Sequence, residues 1–405
     1  MTGFLQFLAD GTVTSPQGFL AGGVYAAIKS PGEDKLDLGI LYSAEPCTVA
    51  GVFTTNKIKA APVLVGQERV KRGIARAVVV NSGNANACTG EQGMADALEM
   101  AAAAAAKLGI PSEEVLPSST GVIGVPMDMG KIRSGISKVE IGPDGGHALA
   151  RAIITTDTGP KEVAVIVEAE GVKATIGGIA KGAGMIHPNM ATMLSFITTD
   201  LGVEAGFLRR ALKRTVDNSF NMVTVDGDGS TNDTVLVLAN GLAGNAPVTD
   251  GSPLAGAFLK GLEAVCAHLA KAIARDGEGA TSFIEVTVSS ALDLADARVA
   301  ARTVASSSLV KTAAAGHDPN WGRIMAALGR SGAEVVESKV DLYLNNIPVL
   351  KGGALVGSDA KRLQAAMAQP EVEIRIDLNL GKARATAWGC DLTEGYVTFN
   401  SAYTT

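Results

Sequence analysis

Aromatic side chains are scarce, at 4% of 405 residues, so the interior has to be filled mainly by small aliphatic groups brought close together. No stretch of eighteen apolar residues occurs, which excludes a membrane-spanning helix of ordinary length. The opening Met1-Thr2-Gly3-Phe4-Leu5-Gln6-Phe7-Leu8-Ala9-Asp10 has no basic residues ahead of its apolar part and breaks too soon for a secretory signal. The four cysteines (Cys47, Cys88, Cys266 and Cys390) form no C-x-x-C pair and read as reduced core residues, not disulfides or metal ligands. His147, His187, His268 and His317 are too far apart for close zinc-ligand spacing. Gly182 and Gly184 are followed by His187 where a dinucleotide fingerprint needs a third glycine. Neither a Gly-x-x-x-x-Gly-Lys-Ser/Thr loop nor a Gly-x-Ser-x-Gly elbow occurs. There is no block of Lys and Arg, and a net charge of −6 weighs against nucleic acid as the main partner. These absences predict a cytoplasmic protein.

What is present is a hydrophobic content of 47% with 19% charged residues, and a length that allows two or three domains. Asp37–Tyr42, Cys47–Phe53 and Arg76–Val80 read as strands. The last leads into Asn81-Ser82-Gly83-Asn84-Ala85-Asn86-Ala87, where Asn and Gly suit a turn. Thr89-Gly90-Glu91-Gln92 has capping-box spacing for a helix through the alanines at 101–106, stopped by Gly109 and Pro111. Pro117-Ser118-Ser119-Thr120-Gly121-Val122-Ile123-Gly124 reads as a tight loop. Glu162–Val167 and Ala174–Ile179 are strand-like, and Phe207, Leu208, Ala211, Leu212, Thr215 and Val216 make one helical face. Asp226-Gly227-Asp228-Gly229-Ser230-Thr231-Asn232-Asp233 has the look of a calcium loop, but Thr231 stands where such a loop needs glycine and Val237 where it needs glutamate. Ser252-Pro253 opens a helix with Leu262, Val265, Cys266, Leu269 and Ile273 inward, and a strand follows over Phe283–Val288. From Val340 the pattern predicts an antiparallel sheet (Val340–Leu344, Ile347–Leu350, Glu371–Leu380, Ala383–Trp388) with a helix over Asp359–Ala368.

The stretch Lys181-Gly182-Ala183-Gly184-Met185-Ile186-His187-Pro188-Asn189-Met190-Ala191-Thr192-Met193-Leu194 reads as a glycine loop running into a strand, with Thr192 at the strand's mouth. A threonine hydroxyl is a weak nucleophile. An N-terminal threonine, however, carries its own base, an α-amine titrating near pH ~7.7–8.0. The whole stretch resembles the self-cleavage motif of the ornithine acetyltransferase family, the bifunctional acetyltransferases of arginine biosynthesis, and further matches run from the amino end to the last residues.

That resemblance implies a cut between Ala191 and Thr192, giving chains 1–191 and 192–405, with Thr192 as nucleophile. Thr120 and Gly121, a turn on local chemistry alone, correspond to the family's oxyanion hole. Thr155 in Thr155-Thr156-Asp157-Thr158 corresponds to a substrate contact. Lys181, by itself a solvated loop lysine, corresponds to a substrate-site lysine to which we assign the amino-acid carboxylate. Glu278 in Gly277-Glu278-Gly279-Ala280-Thr281 corresponds to a substrate contact suited to the side-chain ammonium of ornithine. Asn400 and Thr405 correspond to the family's carboxyl-terminal site residues. The Asn81–Asn86 and Asp226–Asp233 segments correspond to surroundings of the site, and Gly316-His317-Asp318-Pro319-Asn320 reads as scaffold.

By resemblance the fold is α/β: a layered α-β-β-α sandwich of the kind seen in N-terminal-nucleophile hydrolases, with its own connectivity. It is expected over residues 1–290, with a smaller α/β domain over 291–405. The implied reaction is ping-pong transfer of acetyl from N2-acetyl-L-ornithine to L-glutamate through acetyl-Thr192. Some family members also accept acetyl-CoA as donor, and the sequence leaves open which class applies. No metal or organic prosthetic group is implied, and the two chains are expected to pair as an α2β2 heterotetramer. The alternative is an N-terminal-nucleophile aminopeptidase or amidase that passes the acyl group to water.

Overall fold

The protein, seen in a computed structural model, is described over residues 4–29, 35–187, 193–357 and 359–402. In chain order the first elements are strands β1 (Phe4–Phe7), β2 (Phe19–Val24) and β3 (Leu38–Phe53), helix α1 (Ala61–Val70), strand β4 (Ile74–Asn84), helix α2 (Gly90–Leu108) and strand β5 (Val115–Val122). Helices α3 (Met129–Lys138) and α4 (Gly146–Ile153) precede strands β6 (Lys161–Ala169), β7 (Val172–Lys181) and β8 (Leu194–Thr199). Then come α5 (Ala205–Asp217), β9 (Val223–Thr224), β10 (Thr234–Ala239), α6 (Ala255–Arg275) and β11 (Phe283–Ala291). The remainder is α7 (Leu294–Ala305), α8 (Ser308–Ala315), α9 (Trp321–Gly329), β12 (Asp341–Leu344), β13 (Ile347–Lys351), β14 (Ala354–Leu355), α10 (Ala360–Met367), β15 (Glu371–Asp377), β16 (Ala383–Cys390) and α11 (Glu394–Ala402).

One nine-stranded sheet runs β1-β6-β7-β8-β10-β3-β4-β5, with β2 also paired to β3. Successive side chains of a strand point to opposite faces, and here both faces are apolar. Leu38, Ile40, Ala77 and Val79 pack against α2 and α3, whereas Leu41, Val78 and Val80 join Ile179, Leu194, Phe196, Leu236 and Leu238 in a second core. The opposite faces of β8 and β10, through Ile197, Val235 and Val237, pack under α5 and α6. The sheet therefore surrounds a core into which α4 also packs Leu149, Ala150 and Ile153, with α2 and α3 against the other face of one part and α5 and α6 against the other face of β8 and β10. This is the layered α/β arrangement expected from the sequence.

A seven-stranded sheet, β14-β13-β12-β15-β11-β16-β9, carries α7 against β11 and β16, and α6 touches it as well as β6 and β7. It is mixed, not purely antiparallel as predicted, because β11 pairs in parallel with β15 and β9 with β16. The hairpin at Asn345-Asn346 announces itself in sequence, whereas pairings with strands ~80–165 residues away do not.

Several local readings are corrected. Asp37–Tyr42 and Cys47–Phe53 are one strand, continuous across a register shift between Tyr42 and Cys47 that absorbs Pro46. The predicted loop at Pro117–Gly124 is strand β5 as far as Val122; it lies at the sheet's edge, where a proline without an N–H is tolerated. The Asn81–Asn84 turn is likewise the end of β4. Thr89 does not cap α2 with its side chain, since its hydroxyl donates to Asn86 Oδ1 instead (2.7 Å). Helix α6 begins at Ala255 rather than Ser252, whose hydroxyl accepts from the Thr249 N–H. Cys47, Cys266 and Cys390 are buried, but Cys88 is exposed. Among the described residues no helix is long and apolar enough to cross a membrane.

Candidate active site

Parallel pairing of β4 with β5 sets Ser82 opposite Thr120 and Gly83 opposite Gly121. Gly121 has φ +132°, and a Cβ there would lie 2.3 Å from the Gly83 carbonyl carbon, so no other residue fits. Buried amides hold the paired strand ends. Asn81 Nδ2 donates to the Asn84 carbonyl (2.9 Å), the Ser119 hydroxyl donates to Asn81 Oδ1 (2.6 Å), and Asn232 Nδ2 donates to the carbonyls of Ala85 (2.6 Å) and Ser119 (2.8 Å). The asparagine run thus supports Thr120 from behind. The sequence reading placed Asn232 only within the Asp226–Asp233 surroundings of the site.

Lys181 closes β7 with its side chain buried. Its Nζ donates to Thr155 Oγ1 at 2.8 Å and to Thr120 Oγ1 at 3.4 Å, and lies 4.0 Å from Asp157 Oδ2. Asp157 is the organising charge here, and the sequence reading gave it no role. Its Oδ1 accepts from Lys161 Nζ (2.6 Å) and the Gly182 N–H (2.6 Å), and its Oδ2 from the Thr155 N–H (3.0 Å). Lys161 is shared with Asp276 at 2.5 Å. Burial by itself would raise the Asp157 carboxyl, but the Lys181 and Lys161 ammonium groups and the Gly182 N–H outweigh it and hold it down at about 2. Burial lowers Lys181 below the ordinary lysine range, with Asp157 opposing.

A second carboxylate braces the glycine loop. Asp226 Oδ2 accepts from the Met185 N–H (2.5 Å) and Oδ1 from the Ile186 N–H (2.9 Å), which fixes Met185 at φ +56°. Burial raises the Asp226 carboxyl. Tyr396 on α11 donates to Asp226 Oδ2 at 3.3 Å. One helical turn on, Asn400 Nδ2 donates to Glu278 Oε2 at 2.9 Å. That i, i+4 spacing was the available signal for Tyr396, which was missed. The Glu278 N–H donates to the Ala183 carbonyl (2.9 Å), so the Gly277–Gly279 turn is stitched to the loop after β7.

These elements enclose a cavity of about 350 Å³ whose walls include Thr120, Gly121, Thr155, Lys181, Glu278 and Asn400. Six residues scattered over 281 positions of sequence are brought to one place. Ala191, Thr192 and Thr405 lie outside the described residues. Met193, which follows Thr192, donates its N–H to Asp233 Oδ1 at 3.0 Å. Asp233 is fully buried, its Oδ2 has no hydrogen-bond partner among the described residues, and burial pushes its carboxyl up to about 8. The sequence reading placed Asp233 among the surroundings of the site but gave no sign of its burial. Among the described residues no group of three His, Cys, Asp or Glu side chains is placed to hold a metal ion.

Comparison with known proteins gives a consistent result. A family model described as the ArgJ family matches residues 20–405. A protein of Dehalococcoides mccartyi called arginine biosynthesis bifunctional protein ArgJ is 52% identical over 405 residues, covering 100% of both chains. A protein of the same name from Symbiobacterium thermophilum is 54% identical over 403 residues, covering 99% of this chain and 100% of its own. A crystal structure of the Bacillus halodurans protein of that name matches with a TM-score of 0.51 and 45% identity, over 52% of this chain and 100% of the crystallised one.

Proposed function

Since the chain belongs to the ArgJ family, we propose that it is a glutamate N-acetyltransferase of arginine biosynthesis that matures by cutting itself between Ala191 and Thr192. In this reading Thr192 attacks the acetyl amide of N2-acetyl-L-ornithine, with its own α-amine as the base. The Thr120 hydroxyl and the Gly121 N–H receive the charge that develops on the carbonyl oxygen. Ornithine leaves, and the amine of glutamate takes the acetyl group from Thr192. The cut also releases the amine that the chemistry needs, so processing and activation are one event. The share of this chain matched by the crystallised relative, 52%, is close to what either side of the Ala191–Thr192 bond would supply.

The observation that carries the reading is the pairing of Lys181 and Glu278 across one cavity beside Thr120 and Gly121. An amino acid presents a carboxylate and, in ornithine, a side-chain ammonium. Lys181 answers the first and Glu278 the second. Burial disfavours the Lys181 ammonium, and a bound carboxylate supplies the counter-charge that restores it. No metal or prosthetic group enters the scheme. Acetyl-CoA is a second donor in this reading, and the active form is an α2β2 assembly of the two chains in the cytoplasm.

Intact mass spectrometry, with and without N-acetylornithine and no acceptor, tests the proposal. Two chains broken at Ala191/Thr192 with one acetyl group added to the second are expected. One uncut chain that never acetylates would overturn it, and two chains without an adduct would favour a hydrolase. Two substitutions separate the roles. Thr120→Val removes an oxyanion donor and should lower kcat by roughly a hundred-fold or more with KM little changed. Glu278→Gln loses a charged hydrogen bond, about 1.5–3 kcal/mol, and should raise KM for acetylornithine roughly 10- to 100-fold; steady-state kinetics with both substrates reads each.

A further inference from the structure

Among the described residues, the catalytic cavity is lined by one cationic side chain, Lys181, and three acidic ones, Asp226, Asp228 and Glu278. That balance suits ornithine, whose carboxylate goes to Lys181 and whose side-chain ammonium goes to Glu278. Glutamate reverses the charge at the far end. With Lys181 on its α-carboxylate, its second carboxylate finds no further cation among the described lining residues. A carboxylate taken out of water without hydrogen-bond donors is strongly disfavoured, so neutral donors have to receive it.

Most of the polar wall is already committed. Asn232 gives its amide hydrogens to two chain carbonyls, and the Thr231 hydroxyl donates to Asn232 Oδ1 (2.5 Å). Thr120 and Thr155 stand at the Lys181 end. Tyr396 differs. Its bond to Asp226 Oδ2, at 3.3 Å, is long for a hydroxyl donor. Asp226 does not depend on it, because the Met185, Ile186 and Asp228 N–H groups donate to the same carboxylate. Burial, with Asp226 and Glu278 close by, pushes the Tyr396 phenol above its ordinary range, so it keeps its proton and stays a donor. The backbone places it firmly. The Thr393 hydroxyl donates to the Gly279 carbonyl (2.6 Å), and a Cβ on Gly279, at φ +69°, would lie 2.4 Å from the Tyr396 nitrogen. Glycine at 279 thus lets the first turn of α11 rest directly on the turn that carries Glu278.

We propose that Tyr396 is the residue that admits glutamate: its hydroxyl turns from Asp226 to the side-chain carboxylate of the bound acceptor, whereas ornithine is held at the same end by Glu278. This rests on the acyl-transfer reading above and assigns its acceptor specificity. The turn is a rotation about the phenolic C–O bond, with the ring left in place and Asp226 still holding three backbone donors. One cavity can then take side chains of opposite charge in successive half-reactions.

The test is Tyr396→Phe in the full-length purified protein, which removes the hydroxyl and keeps the ring. The two halves of a ping-pong reaction are read apart by exchange of labelled ornithine with N-acetylornithine and of labelled glutamate with N-acetylglutamate. The variant should lower the glutamate-to-ornithine ratio of exchange kcat/KM by at least about tenfold, the range of a lost hydrogen bond to a charged group, with the loss carried by the KM for glutamate. A merely structural effect lowers both exchanges together, and an unchanged ratio overturns the proposal. L-Norvaline, which has a methyl group in place of the side-chain carboxylate, gives a second reading as acceptor. The preference of the wild type for glutamate over norvaline should shrink at least about tenfold in the variant, and a preference that survives intact overturns the assignment. A wild type that catalyses neither exchange would sink the acyl-transfer reading by itself. Calorimetry with glutamate and with ornithine then decides for Tyr396: a selective weakening of glutamate supports it, and equal loss or no change overturns it.

Discussion

Thr192→Ala should give a single 405-residue chain on a denaturing gel and no acetyl transfer from any donor. The substitution removes the hydroxyl that attacks and, by preventing the cut, also withholds the α-amine that activates it. Losing a nucleophile that acts as part of a unit costs at least roughly a thousandfold in kcat, and further losses in the same unit add little. Thr192→Ser is the informative companion. It keeps a hydroxyl and permits an N-terminal amine, so it should cut and turn over, more slowly in both. If Thr192→Ala were processed normally and remained active, the nucleophile would have to lie elsewhere. Intact mass and an acetylornithine–glutamate assay on the same samples decide.

Asp157→Asn should be the most damaging substitution among the charged residues. It is isosteric, so packing is preserved, but it leaves the buried Lys181 without its nearest anion and Lys161 with Asp276 alone. Breaking a buried pair from one side costs about 3–5 kcal/mol, because a charge is left uncompensated in a poor solvent. Replacing Lys161 by Met in the same protein should recover part of that loss, which an effect on shape alone would not do. The pH dependence has a definite sign. The folded carboxyl sits at about 2, below the ~3.9 of an unfolded aspartate. Its contribution is therefore full above pH ~4 and disappears as the pH falls towards 2, and the shift is worth roughly 2–3 kcal/mol. Denaturation midpoints measured across that window should converge for wild type and variant at the acid end. Curves that stay parallel would mean that Asp157 matters for some reason other than its charge.

How far the sequence disclosed all this depends on the kind of interaction. The Lys181–Leu194 stretch stood out because a long unbroken run of residues carries its resemblance, and the strands with clean apolar character, such as β6, β7 and β8, were placed well. Strand β5 was misread because Pro117, Ser118, Ser119 and Gly121 are turn formers by propensity. What makes them a strand is parallel pairing to β4, whose partner residues lie 38 positions earlier, and tertiary pairing overrides local preference. Asp157 was passed over, and Asp233 was placed only among the site's surroundings, for a related reason. A carboxylate in sequence looks solvated, and only the fold reveals that Lys161, Lys181 and Asp276 surround the first, and that the second is buried next to Met193. The convergence of Thr120, Lys181, Glu278 and Asn400 was available only through likeness to a family, since no spacing rule links residues so far apart.

The order of strands in the large sheet bears on how the two chains would be made. A break before Thr192 puts β8 and β10 in one chain and β7 and β3 in the other, yet β8 and β10 lie side by side between β7 and β3. The two polypeptides would be interleaved like shuffled cards, and neither could be withdrawn without unzipping two rows of backbone hydrogen bonds at the centre of the sheet. Covalent continuity is then needed for the strands to find their neighbours, but not for them to keep those neighbours afterwards. Maturation of this kind runs in one direction. Halves synthesised separately would face a bimolecular search for a central slot, whereas a chain that folds first and is cut later has already completed it.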